Sequence, residues 1–334
     1  MKEGHLKKNL IEILTLALLI FATYYLIMKD KDFDEVLQVL IGSSKIWLIA
    51  ALIVITVYVF CGGYCIKVIQ KGLGRFVSIW QCFKYSFIEI YFSAITPSST
   101  GGQPMQLYYM SKDGFPVSES TVILLAITAL YKGVFVVISL LLFIFNMGFI
   151  GEKISKIWPL ALLGFVCSVI FVVFLYLVIF SKKLINVIAV KSVSLLSKLK
   201  LIKNKEEKLE SINQKLAEYH ECAKFFKEHK KVMFKAAVVL AVQKLALVSI
   251  PCLVYASFGL KEYEILATQC LLNISVELLP IPGAVGISET VFFMLFTPVF
   301  TESRITTAVL LSRGISFYIP VIVAGLVVCG TKIS

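Results

Sequence analysis

The sequence predicts an all-α polytopic membrane protein, with six full transmembrane helices plus two re-entrant helical hairpins arranged as an inverted-topology repeat. Three observations carry this expectation. The 334 residues are 58% apolar, with a mean hydropathy of +0.87. Several apolar runs reach the ~20 residues that a helix needs to cross a bilayer core. Two further hydrophobic stretches are interrupted by prolines and glycines, at "TPSSTGGQP" and "LLPIPGAVGISE". Backbone in lipid must satisfy its own hydrogen bonds, and runs this evenly apolar do not alternate as barrel strands do, so the spans are helices.

The first run, 10–28, follows Lys2, Lys7 and Lys8. It is longer than a signal-peptide core and precedes no obvious small-x-small cleavage site, so it stays as a span. The other five spans are 46–66, 120–146, 157–181, 232–258 and 304–330. Loop charge orients them. Segment 29–45 carries three lysines against four acids, 67–75 carries Lys67, Lys71 and Arg75 with no acid, and 182–231 carries thirteen lysines against six glutamates. Cytoplasmic loops keep the excess of lysine and arginine. Segments 1–9, 67–75 and 182–231 are therefore expected inside, together with both termini, and 29–45 outside.

Parity then demands the hairpins. The run 157–181 ends at the lysine-rich segment, so 147–156 is outside and 120–146 enters from inside. Residues 76–119 thus begin and end on the same side. Their return leg, 98–110, makes about 20 Å of helix, too short to cross. The solution is a re-entrant hairpin over 76–110, and the same count requires a second over 262–300. The chain divides near 150. Residues 1–150 hold two spans, hairpin 76–110 and span 120–146; residues 151–334 hold spans 157–181 and 232–258, the basic segment 182–231, hairpin 262–300 and span 304–330. Each half makes three crossings, so the second is inserted upside down. Broken segments at matching positions of such a repeat point to a transporter's central site. Non-helical backbone at that depth is tolerated only inside protein or beside a watery cavity.

Polar residues cluster on the same segments. Gln81, Tyr85, Glu89 and Ser93 recur four apart on one hairpin leg, with Lys84 close beside; Gln269, Asn273 and Glu277 do so on the other. Each stripe carries a carboxylate toward its tip. Ionisable groups in a span are functional candidates because they cost about 2.5–3.5 kcal/mol to insert. Lys132, Lys244, Arg304 and Arg313 supply the opposite charge. Arg313 lies well inside the last run, where its planar fork suits a phosphate or a carboxylate; a structural pair with Glu277 or Glu289 is the alternative role.

The eight cysteines are scattered and read as small packing residues. The three histidines, His5, His220 and His229, lie in hydrophilic segments, and His220 with Cys222 and His229 is a weak ligand set at best. No metal or other cofactor is expected, and no phosphate-binding Gly-x-x-x-x-Gly-Lys loop appears. Segment 182–231 contributes +7 of the formal +12. Leu209, Ile212, Leu216, Tyr219, Ala223 and Phe226 form an apolar seam in it at steps of three and four. It suits either the anionic inner leaflet or a solvated helical hairpin, and charge alone gives no support for nucleic acid binding. A homo-oligomer is compatible with all of this.

"TPSSTGGQPMQ" at 96–106, "PIPGAVGISE" at 280–289 and the arginine of "LLSRGISFYIP" resemble the signature regions of the lysylphosphatidylglycerol synthase transmembrane family, also called flippase-like membrane proteins. The resemblance covers essentially the whole chain. It implies a prokaryotic cytoplasmic-membrane protein that moves a phospholipid or lipid-linked headgroup between leaflets. It also implies a substrate site at Thr96, Pro97, Ser98, Ser99, Gly101, Gly102, Gln103 and Pro104 of the first region. Pro280, Pro282, Gly283, Gly286, Glu289 and Arg313 are its counterparts in the second; Thr100, Glu89, Asn273 and Glu277 join them from the tip and stripes above. The chain stops at Ser334, straight after the last span, so no attached aminoacyl-transferase, and no enzyme activity, is expected. Relatives often carry Pro-Gly-Gly and a basic residue before the glutamate, where this chain has Ala284 and Ser288. Two other readings compete: an intramembrane enzyme with Glu89 or Glu277 as base, and a membrane partner that docks a cytosolic enzyme through 182–231.

Overall fold

A computed structural model describes residues 33–96, 99–145, 158–198, 205–259, 264–276, 286–296 and 302–333, with Phe21, Tyr25 and Met28. The rest of the expected span 10–28 lies outside these residues. Every regular element among them is a helix. In chain order these are α1 (Phe33–Gly42), α2 (Lys45–Gly72), α3 (Ile79–Ile95), α4 (Gly102–Lys112), α5 (Val117–Phe145), α6 (Trp158–Phe180) and α7 (Lys182–Lys198). They continue with α8 (Lys205–Glu228), α9 (Lys230–Ser257), α10 (Glu264–Val276), α11 (Ile287–Phe296) and α12 (Glu302–Arg313). A π-helical turn, Gly314–Tyr318, then leads into α13 (Ile319–Ile333).

Five stretches are long and apolar enough to cross a membrane: Lys45–Gly72, Val117–Ile144, Ala161–Phe180, Lys230–Ser257 and Arg304–Gly330. They coincide with the expected runs after the first. Their outer faces are as apolar as their inner ones: Ile49 and Ile53 on α2, Ile170 and Tyr176 on α6, and Leu326 on α13 are all more than half exposed. Water would disfavour such a surface and lipid requires it. The chain is a multi-pass membrane protein.

The centre is the antiparallel pair α2 and α9, each of 28 residues and about 42 Å long. Ser44 N–H donates to Ser257 O at 2.8 Å at one end, and Gly72 lies against Val232 at the other. Where apolar surface has no advantage over lipid, close helix contact comes from small residues. Gly62 accordingly faces Ser86 and Gln243, and Gly63 faces Phe83, letting α3 and α9 approach α2.

Helices α3 and α4 form an antiparallel hairpin. Thr96 is extended (φ −114°, ψ 146°), as a residue before proline prefers, and α3 stops there. Its hydroxyl caps the break by accepting from Gly101 N–H at 2.8 Å while donating to Phe92 O at 2.6 Å. Ser99 sits in the left-handed region with φ 56°, an uncommon conformation for a non-glycine residue. Gly102 then packs directly on Ser93 and Glu89.

The open end of this hairpin is held by Asp113. Lys84 Nζ lies 2.8 and 3.1 Å from its oxygens, Tyr85 OH donates at 2.7 Å, and Gln81 Nε2 donates at 3.3 Å. Burial raises the Asp113 carboxyl, but the hydrogen bonds from Lys84, Tyr85 and Gln81 and the lysine charge outweigh it and hold it below its usual range. The sign follows: a depressed carboxyl stabilises the fold above its unfolded value of about 3.9, and that contribution is lost as pH falls through the folded value. Hydrogen-exchange protection of the α3 and α4 ends near Lys84 and Asp113 should fall on acidification below about pH 4. Asp113→Asn should reduce it already at neutral pH; an unchanged protection pattern in that variant would discard the latch.

The later part of the apolar seam of α8 packs on the bundle; the side chains of Leu209 and Ile212 lie outside the described ones. Tyr219, Cys222, Ala223 and Phe226 are buried against Cys65, Ile69 and Ile123, among others, and Tyr219 OH donates to Val178 O at 3.0 Å. Ser118 donates to Glu218, and Arg75 pairs with Glu119, tying the same end together. Helices α10 and α11 pack on each other; the residues between them, 277–285, lie outside the described set.

Candidate functional site

One cavity of about 780 Å³ lies inside the bundle. The first hairpin contributes Glu89, Ser93, Ser99, Thr100 and Gln103 to its wall; α10, α11 and the last span contribute Asn273, Ser288, Glu289 and Arg313. Residues from the two broken segments, nearly two hundred positions apart in the chain, thus face one space. Thr96, Gly101, Gly102 and Gly286 are not among the lining residues, but Gly102 packs on Ser93 and Glu89, Gly101 packs on Thr96, and Gly286 N–H donates to Glu289. Pro97, Ser98, Glu277, Pro280, Pro282 and Gly283 lie outside the described residues. Arg304 is exposed and away from the cavity.

The geometry of the acids differs between the halves. Glu89 accepts from Ser93 Oγ at 3.2 Å and lies within electrostatic reach of Lys132 on α5. Glu289 is 3% exposed and held through both oxygens. Its Oε1 accepts from Arg313 Nε at 2.7 Å, and its Oε2 accepts from Gly286 N–H at 2.6 Å. The second bond is the return half of a capping box: a glutamate at the third helical position reaching back to the residue that opens the helix. Gly286 takes φ 85°, open to glycine without steric cost, and Thr290 Oγ1 donates to its carbonyl at 2.7 Å. Arg313 also stacks its guanidinium 4.7 Å above the Phe317 ring, a cation–π contact. The expected pairing of Arg313 is therefore with Glu289.

Further wall residues lie beyond the implied substrate set, one of them the Lys244 already noted as a charge within a span. Lys244 is 4% exposed; its Nζ lies 3.6 Å from the Phe135 ring centre and donates to Tyr131 OH at 3.4 Å. Gln243 beside it, Gln106 on α4 and Thr128 on α5 also line the space, Thr128 accepting from Gln103. The π-helical turn presents Ser316 and Phe317; single π turns inside helices recur at functional sites. Among the described residues no three of His, Cys, Asp or Glu are grouped to hold a metal ion. What the wall offers is a dense set of carboxamides, hydroxyls and paired charges inside an apolar bundle, suited to desolvating and orienting one polar group.

The family model described as "Lysylphosphatidylglycerol synthase TM region" matches residues 9–324. A curated relative is a UPF0104 membrane protein of Archaeoglobus fulgidus, 24% identical over 302 residues, which cover 88% of this chain and 89% of the relative.

Proposed function

The chain belongs to the family of the lysylphosphatidylglycerol synthase TM region, and from that premise we propose that it carries a phospholipid or lipid-linked headgroup between membrane leaflets through the central cavity. The observation that carries the reading is the shared wall: polar residues of both broken segments line one space within a bundle whose outer surface is apolar. The headgroup occupies the cavity while the acyl tails stay in lipid. The antiparallel packing of α2 on α9, which hold corresponding places in the two halves, supports an inverted repeat. In that arrangement the α3–α4 and α10–α11 hairpins re-enter from opposite faces, and parting of the two halves opens the site alternately. The lysine-rich α7–α8 segment and both termini then face the cytoplasm of a prokaryotic cell, with α7 and the exposed lysines of α8 near anionic lipid. The chain acts as a transporter and makes no covalent change to its lipid.

Leaflet exchange of labelled phospholipids in vesicles containing the purified protein tests this. Wild type should exceed protein-free vesicles. Glu89→Gln removes one charged contact, worth about 1.5–3 kcal/mol, and should slow exchange roughly ten- to a hundredfold. Exchange no faster than in protein-free vesicles, across several headgroups and with folded protein, would sink the proposal.

A further inference from the structure

Transport between leaflets needs a driving force, and the first hairpin holds a pair of side chains suited to supply one. We propose that Glu89 binds and releases a proton and that Ser93 passes its state to the hairpin tip, so that headgroup movement is coupled to a proton gradient. This rests on the transport reading above.

The two acids of the cavity wall are built differently. Glu289 is held through both oxygens, by Arg313 Nε and by Gly286 N–H, and a proton would displace one of those bonds. Glu89 lines the same cavity. Among the described residues it accepts one hydrogen bond, from Ser93 Oγ, and no cation is in ion-pair contact with it. Ionisable groups inside a membrane are ordinarily paired, and chains of them mark proton paths. A carboxylate held by a single hydroxyl beside open space can exchange a proton with water there. The cavity of about 780 Å³ has room for that water, each molecule taking about 30 Å³.

The other titratable or charged groups of the described wall are Tyr58 on α2, Tyr131 and Lys132 on α5, Lys244 on α9, Glu289 on α11 and Arg313 on α12; α4, α6, α10 and α13 bring none to it. Lys132 is the cation in electrostatic reach that the ionised Glu89 faces. Of the two carboxylates on the wall, Glu289 is committed to Arg313, which leaves Glu89 to titrate.

Ser93 supplies the link to movement. Its hydroxyl carries one proton and has two acceptors in range, Glu89 Oε1 at 3.2 Å and the Ser99 carbonyl oxygen at 3.5 Å. An ionised carboxylate only accepts, so Ser93 donates to it; a protonated one also donates. Once Glu89 holds a proton it donates to Ser93 Oγ, and the serine's own proton turns to Ser99 O. Protonation thus becomes a hydrogen bond to the tip, at the residue whose φ of 56° requires support from its surroundings. Gly102 packs on Ser93 and Glu89 and keeps the two close. The proton comes from water on one side of the membrane and returns to water on the other, and no other covalent bond forms or breaks.

Three measurements on the purified full chain test this. Infrared difference spectra between two pH values should show a carboxylic-acid band that Glu89→Gln lacks. Hydrogen exchange at residues 99–103 should be about two- to tenfold slower at the more acid pH, the worth of one added hydrogen bond; Ser93→Ala should keep the infrared band and lose this difference. In vesicles with the membrane potential clamped, a gradient of about one pH unit should leave labelled phosphatidylglycerol up to about tenfold unequal between leaflets once exchange is complete, and Glu89→Gln and Ser93→Ala should both leave it equal. A band unchanged in Glu89→Gln, or tip protection that varies with pH alike in wild type and Ser93→Ala, would overturn the inference. So would an equal distribution in wild type despite measurable exchange, or one that follows a sodium gradient instead. The transport reading fails separately: with no exchange at all, the band and the tip protection still decide whether Glu89 and Ser93 form a proton site.

Discussion

Glu289→Ala should destabilise the protein by about 3–5 kcal/mol, the usual cost of removing one member of a buried ion pair. Glu289 is 4% and Arg313 17% exposed in their side chains, so the arginine would lose its carboxylate in a poorly solvated place. The same change strips the Gly286 N–H of its acceptor and loosens the start of α11. Glu289→Gln keeps acceptors for both groups and should cost less. The double variant Glu289→Ala/Arg313→Ala should be less destabilised than the sum of the single changes, because removing both charges leaves neither stranded. Unfolding midpoints in detergent measure all four proteins. Additive losses would mean that the two side chains do not depend on each other.

Gly102→Ala comes next in size. Alanine exceeds glycine by about 1 kcal/mol in helix propensity, and Gly102 opens α4 without a positive φ, so local preference alone favours the change. Packing reverses the sign. A Cβ there would collide with Ser93 Oγ and sit 2.7 Å from the backbone oxygen of Glu89, which cannot yield as a side-chain tip can. Overpacking of this kind costs about 1–3 kcal/mol, and α4 must back away from α3, displacing Ser99 and Gln103 from the cavity. Gly330→Ala, where nothing lies within 4 Å, is the control and should melt with wild type. A Gly102→Ala midpoint equal to the control's would refute the close approach; its leaflet exchange should fall together with its stability.

The positions of the five described spans were legible because an apolar run long enough to cross lipid has few other uses. The first hairpin's break was legible from Pro97 and the adjacent glycines, and Glu89, Asn273, Glu289 and Arg313 stood out as polar residues in apolar surroundings. Gln243 was harder to see. It lies within a run whose average hydropathy conceals it, and its orientation is decided by Gly62 on α2, which makes room for its amide. Lys244 was visible as a charge, yet only the fold sets it over Phe135. Residues 209–226 show a limit of another kind: a membrane surface and a helical bundle are both apolar, so the spacing of Tyr219, Ala223 and Phe226 identifies a seam without its partner. The π turn at Gly314–Tyr318 has no compositional marker, since the wider hydrogen-bond pattern is set by what the helix packs against on either side.

That turn has a consequence for rotational phase. An α-helix advances 100° per residue, so one residue accommodated in a wider loop lets the two parts of the last span face directions that an uninterrupted helix could not reconcile. Before the turn, Ala308 and Val309 bury against α9 and α11 while Arg313 looks into the cavity. After it, Val321, Ala324 and Val328 seat against α3. The last span thus works as an adaptor between two packing surfaces that were never in step, one belonging to each broken segment.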